Sequence, residues 1–116
     1  MKYALLIFHD EKEGARTPDA LAPWREFSEA APAHGVELAG APLDSSKLAK
    51  LISRRNGKTI VTDGPFADTK EQLCGYYLFD CQSHEAALKL AEMIPVALIG
   101  HVEVRPVVDF DAASAG

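Results

Sequence analysis

Cysteine, tryptophan and positive charge are all scarce in this chain. Two cysteines and one tryptophan occur among 116 residues, and 12 Lys and Arg stand against 17 Asp and Glu. The net charge of −5 argues against non-specific nucleic-acid binding, which needs a basic face to neutralise phosphates. No apolar run approaches the ~20 residues that span a bilayer. His9, His34, His84, His101, Cys74 and Cys81 form no clustered pairs, so no metal set is expected. A glycine-rich phosphate loop after a strand and a nucleophile elbow are also missing. With 47% hydrophobic and 25% charged residues, the chain is nonetheless an ordinary globular one, of a size for one domain.

Cys74 and Cys81 flank "GYYLFD", the best strand in the sequence. An odd separation on one strand points them to opposite faces. It also sets them about 23 Å apart at roughly 3.3 Å per residue. A disulfide is therefore excluded. The start "MKYALLIFHDE" reads as a first strand rather than a signal peptide, because acidic residues follow the short apolar run. Free thiols without an export signal lead to the expectation of a cytoplasmic protein.

"KYALLIFH" alternates Tyr3, Leu5 and Ile7 with Ala4, Leu6 and Phe8, apolar on both faces. A helix is expected next, with Thr17 as N-cap, Pro18 at its first position, and Leu21, Trp24, Phe27 and Ala31 as its buried stripe. Pro23 and Pro32 interrupt that pattern. Gly35 ends the helix, and "VELAGA" makes a short strand. Asn56-Gly57 is a two-residue hairpin signal, which favours a strand over 48–55 paired with 58–62; Leu48, Leu51 and Ile52 suit a helical turn as well. "GYYLFDC" is a strand with Tyr76 and Leu78 on one side and Tyr77 and Phe79 on the other. Ser83 caps a helix that buries Ala87, Leu90, Ala91 and Ile94 and closes at Pro95. The last strand, "HVEVRPVVDF", alternates Val102, Val104, Pro106, Val108 and Phe110 with Glu103 and Arg105, and Pro106 marks an edge or a bulge. Residues 1–110 thus form one domain and 111–116 a loose tail.

This order is α+β: a ferredoxin-like antiparallel sheet with two helices on one face and an inserted β-hairpin. The second face of the sheet would be wet, although its strands are apolar there. No element remains to cover it, so a second copy is the simplest cover. The expected assembly is a homodimer with sheets face to face and a cavity between them.

The densest group of chemistry-bearing residues is "VTDGPFADTKEQL", 61–73. It has two readings. Asp63-Gly64-Pro65 are turn formers, Gly64 through positive φ, and Asp68 with Glu71 resembles a capping box that starts a helical turn. Alternatively, Asp63, Lys70 and Glu71 beside an apolar cavity make a site for proton transfer. His9, at the end of the first strand, can reach a cavity mouth, and Arg105 can anchor an anion through its planar fork.

"VTDGPFADTKEQLCGYYLFD", with "MKYALLI" before it and "VEVRPV" after it, resembles the YCII-related proteins of the DGPF type over residues 2–107. The resemblance implies a ferredoxin-like fold assembled as a dimeric α+β barrel. It carries over Asp63, Gly64, Pro65 and Phe66, then Thr69, Lys70, Glu71 and Gly75, and the run ending at Arg105 and Pro106. Cys74 stands where many relatives have glycine, and the histidine of the His/Asp pair in YCII-like relatives has no clear counterpart. Beside the resemblance, the position of the motif directly after a strand leads to the expectation of cofactor-free isomerase- or lyase-like chemistry on a small molecule bearing a carboxylate or a polar aromatic ring. Catalytic roles fall to Asp63, Lys70, Glu71 and His9, and substrate contacts to Gly64, Pro65, Phe66 and Arg105. The alternative implied function is a non-catalytic ligand-binding or regulatory module linked to an extracytoplasmic-function sigma factor. Neither reading involves nucleic acid, membrane, metal or cofactor.

Overall fold

Tyr3, Leu5 and Ile7 alternate along the first strand, and burial of that one face organises the domain. The computed structural model describes residues 1–13 and 21–111. Strand β1 (Lys2–His9) leads to helix α1 (Leu21–Ala30), strand β2 (Gly35–Pro42), strands β3 (Lys50–Arg55) and β4 (Lys58–Asp63), strand β5 (Gln72–Cys81), helix α2 (His84–Met93) and strand β6 (His101–Pro106). The four-stranded sheet runs β2-β5-β1-β6 with antiparallel neighbours, and β3-β4 form a separate two-stranded sheet. This is the α+β, ferredoxin-like arrangement with an inserted hairpin.

Both helices supply the cover for one face. Phe27 and Ala31 from the first helical segment, and Ala87, Leu90, Ala91 and Ile94 from the second, bury against Tyr3, Leu5, Ile7 and Phe79. Rings of Phe27, Tyr77 and Phe79 pack at centroid distances of 5.5–6.4 Å, within the usual range for aromatic pairs. Ser83 caps α2 as its sequence indicates, its side chain accepting a hydrogen bond from the Ala86 amide. The cap expected at Thr17 and the proline at 18 lie outside the described residues, as do the side chain of Leu21 and residues 112–116. Pro23 sits within α1, and Pro32 lies in a 3₁₀ turn, Ala31–Ala33, that follows it.

The hairpin settles the ambiguous segment. Asn56 (φ 54°) and Gly57 (φ 73°) both take positive φ, which a type I′ turn requires, and Arg55 pairs with Lys58 across it. Leu48 belongs to a short 3₁₀ turn, Ser46–Leu48, and not to the strand.

Four expectations are corrected. Gly64 is not at positive φ; a Cβ there would lie 2.9 Å from the Ala49 Cβ, so close approach explains the glycine. No helical turn forms at 68–71; the Gln72 side chain instead donates to the carbonyls of Ala67 and Thr69 and holds an irregular loop. The last strand stops at Pro106 on the sheet edge, and Val108 and Phe110 are exposed rather than continuing its buried face. Finally, Ile7 pairs with Gly75 but Phe8 pairs with Leu73, which leaves Cys74 as the extra residue of a bulge. The bulge resets the alternation, so Cys74 packs against the same core that buries Cys81 instead of facing away.

The radius of gyration, 16.5 Å, exceeds the roughly 13 Å of a compact chain this long. The hairpin exposes Ile52, Ile60 and Val61, and the open sheet face leaves Tyr76 and Val36 exposed and Leu6, Phe8 and Leu78 half-buried.

Candidate functional site

A cavity opens on the helical side of the sheet, at the end of β1. Its volume is about 750 Å³. Ile7, Tyr77 and Cys74 form its floor, Trp24 of α1 and Val96 form apolar wall, and Pro42 to Ser45 form the rim after β2. Small residues make the room. Gly40 and Ala41 of β2 face Tyr77 and Tyr76 across the ladder. A Cβ on Gly40 would lie 2.6 Å from the Tyr77 ring. The Leu43 amide donates to the Cys74 carbonyl at 2.8 Å and extends the pairing of β2 and β5 into the rim.

The polar wall comes from segments distant in sequence. Glu11, in the 3₁₀ turn after β1, accepts from the Ser46 amide at 2.7 Å and from its hydroxyl at 3.0 Å. Asp44 accepts from the Ser45 amide at 2.7 Å. Glu37 reaches the cavity from β2. His9 Nδ1 lies 2.9 Å from the Asp10 carbonyl. A carbonyl can only accept, so Nδ1 donates to it, and in the neutral form of the ring the lone pair sits on Nε2.

Burial pushes the Cys74 thiol up, and the Glu11 carboxylate adds to this against a backbone hydrogen bond. Burial and then Glu37 push the Tyr77 phenol up. Both groups are thus neutral near pH 7, and Cys74 has none of the thiolate character of a nucleophile.

Among the residues expected to form a site, His9 lines this cavity. The others lie elsewhere. Asp63 ends β4, pairs with Lys50 across the hairpin, and is 84% exposed. The Gly64 amide donates to the Ala49 carbonyl at 2.9 Å and closes the base of the hairpin. Pro65 is half-buried and Phe66 fully displayed to solvent. Lys70 is exposed, whereas Glu71 pairs with His101 at 2.8 Å. The Arg105 guanidinium donates to Glu103 on its own strand at 2.8 Å. Asp63 and Lys70 therefore do not meet in the cavity.

Trp24, Glu11, Glu37 and Asp44 were not legible as site residues. Trp24 reads as a core position on a helix stripe, and the Glu11–Ser46 contact joins segments whose proximity no local pattern encodes. Among the described residues no His, Cys, Asp and Glu cluster could hold a metal ion, and no helix is long and apolar enough to cross a membrane.

The profile of the YCII-related domain matches residues 1–111 of the chain. An uncharacterized protein of Rhizobium meliloti (strain 1021) is 39% identical over 117 residues, covering 91% of this chain and 91% of that protein.

Proposed function

The chain belongs to the YCII-related domain family, and from that premise we propose that it is a ligand-binding module whose cavity beside Trp24 takes one small organic molecule. The supporting observation is the cavity itself. Its volume lies in the range of small-molecule sites, and its wall combines aromatic surface with a few convergent polar groups. Trp24 is the only tryptophan, so its fluorescence reports occupancy directly. The test is a titration of intrinsic fluorescence with a small-molecule library. Hits should shift Trp24 emission saturably, and Gly40→Ala, which displaces the Tyr77 ring from the cavity wall, should weaken their binding. Hits that bind a cooperatively folded Gly40→Ala protein unchanged would place the ligand elsewhere.

A catalytic version of this reading rests on His9. Its Nε2 lone pair belongs to a ring on the cavity wall, where a bound molecule could give up a proton for cofactor-free isomerisation or elimination. Proton transfer by Asp63 has less support, because that carboxylate pairs with Lys50 in solvent. Loss of turnover in His9→Asn with retained binding would establish the catalytic version. The sigma-factor association rests on resemblance alone. Free thiols at Cys74 and Cys81 suit a reducing compartment such as the cytoplasm.

We further propose that the module works as a homodimer. The open sheet face and the hairpin carry exposed apolar side chains, and a two-stranded ribbon is marginal alone. Residues 46–62 contain Lys47, Lys50, Arg54, Arg55 and Lys58 and no acid. Removing these five cations from the net charge of −5 leaves −10 on the rest, so the arm of one copy is complementary to the body of another. Light scattering should give twice 12.5 kDa at micromolar concentration, with dissociation favoured by salt. A monomer under those conditions refutes this assembly.

A further inference from the structure

The charge of the described cavity wall is one-sided. Glu11, Glu37 and Asp44 all line it, and among the described residues that line it there is no Lys or Arg. Of the other polar groups on the wall, the neutral His9 ring offers its Nε2 lone pair, and the Ser45, Tyr76 and Tyr77 hydroxyls can donate or accept. Among the described lining residues, a carboxylate ligand would meet three like charges and no Lys or Arg. It would be repelled.

From this wall we infer that the cavity selects an organic cation, an ammonium group carried on an apolar or aromatic body. The inference rests on the reading of the cavity as a ligand site and names the class of ligand. Glu11 is already held by Ser46, which fixes its carboxylate without neutralising it. Glu37 is exposed at the cavity mouth and forms no hydrogen bond or ion pair with another described residue, so among the described residues it is the carboxylate available as counter-charge. Trp24 and Tyr77 lie 6.5 Å apart between ring centroids and are tilted to each other by 42°, so the wall holds two π-faces as well as carboxylates. Ring faces attract ammonium groups, Trp most strongly. Burial first, and the carboxylates of Glu11 and Glu37 after it, raise the Cys74 and Tyr77 protons, so both groups present neutral surface to the ligand. Arg105, the anion anchor expected from the sequence, is held by Glu103 and does not line the cavity.

The test uses three probes that share a phenylethyl body and differ in charge: 2-phenylethylammonium, 2-phenylethanol and 3-phenylpropanoate. Each is titrated at pH 7 and low salt while Trp24 fluorescence is followed, with calorimetry as an independent readout. The ammonium should bind about tenfold or more tighter than the propanoate, a difference of about 1.4 kcal/mol. Glu37→Gln should erase most of that difference while leaving the neutral alcohol unaffected. An unchanged melting temperature in Glu37→Gln would show that the fold is intact, and Glu11→Gln, which keeps an acceptor for Ser46, provides a second variant. If the propanoate or the alcohol binds as tightly as the ammonium, the cation inference fails and the ligand site stands. If none of the three binds at millimolar concentration, both fail.

Discussion

The Glu11 carboxylate receives both polar hydrogens of Ser46, from the amide at 2.7 Å and the hydroxyl at 3.0 Å, and so ties the turn after β1 to the rim after β2. The two residues are 35 positions apart in sequence. Hydrogen bonds to charged groups are the stronger ones, and this carboxylate is only partly exposed. Glu11→Ala should therefore cost about 1–2 kcal/mol in urea unfolding. Glu11→Gln should lose about half as much, since it keeps one acceptor. Amide exchange at Ser46 should accelerate in Glu11→Ala. Unchanged exchange there would mean that the tie is not formed in solution.

Two glycines fail on substitution for steric reasons. Gly40→Ala puts a methyl 2.6 Å from the Tyr77 ring, and Gly64→Ala puts one 2.9 Å from the Ala49 Cβ. Each should destabilise by about 1–3 kcal/mol, the usual cost of overpacking. The two should differ in consequence. Gly40→Ala displaces a ring of the cavity and should alter near-ultraviolet circular dichroism, whereas Gly64→Ala loosens the base of the hairpin and should leave that spectrum alone. Identical spectra for both variants would argue against the packing of Tyr77 over Gly40.

The contrast between these glycines shows what the sequence could and could not reveal. Asn56-Gly57 announced its turn because positive φ is a local property, written in the residue type. Gly64 was assigned the same cause, yet its constraint is the approach of Ala49, a contact across the hairpin base. The strands and the helix stripes were legible for the same local reason, through periods of two and 3.6 residues. Cys74 escaped because one extra residue in a bulge inverts every inference from parity. The cavity escaped because its wall is assembled from five segments, and Glu11, Glu37 and Asp44 are individually ordinary acids on strand and turn.

Alkaline pH should weaken the fold through three groups. Burial raises the Cys74, Tyr77 and Cys81 protons above their ordinary range, with Glu11, Glu37 and Asp80 respectively adding to it. A raised value means that the unfolded chain loses the proton first. The stability contribution is complete below the unfolded values, about 8.5 for a thiol and 10 for a phenol, and is lost as pH rises through the folded ones. Urea midpoints should thus fall from about pH 8.5 upward. Replacing both cysteines by Ser should flatten the first part of that decline, and a decline identical to wild type would exclude the thiols as its source.

Asp63 and Glu37 separate the corner at 63–66 from the cavity, because each can be neutralised without moving the backbone. Asp63 is 84% exposed, and its partner Lys50 is 63% exposed. Pairs of this kind contribute below about 1 kcal/mol, since solvent screens them and two long side chains must be ordered. Asp63→Asn should accordingly change the urea midpoint little and leave probe binding at Trp24 as it was. Glu37→Gln should also leave stability near wild type, yet it should weaken the binding of 2-phenylethylammonium. The decisive comparison is ligand affinity in the two variants, measured side by side at one ionic strength. Should Asp63→Asn lose binding while Glu37→Gln keeps it, the functional site would lie at the hairpin corner, completed there by a second copy of the chain.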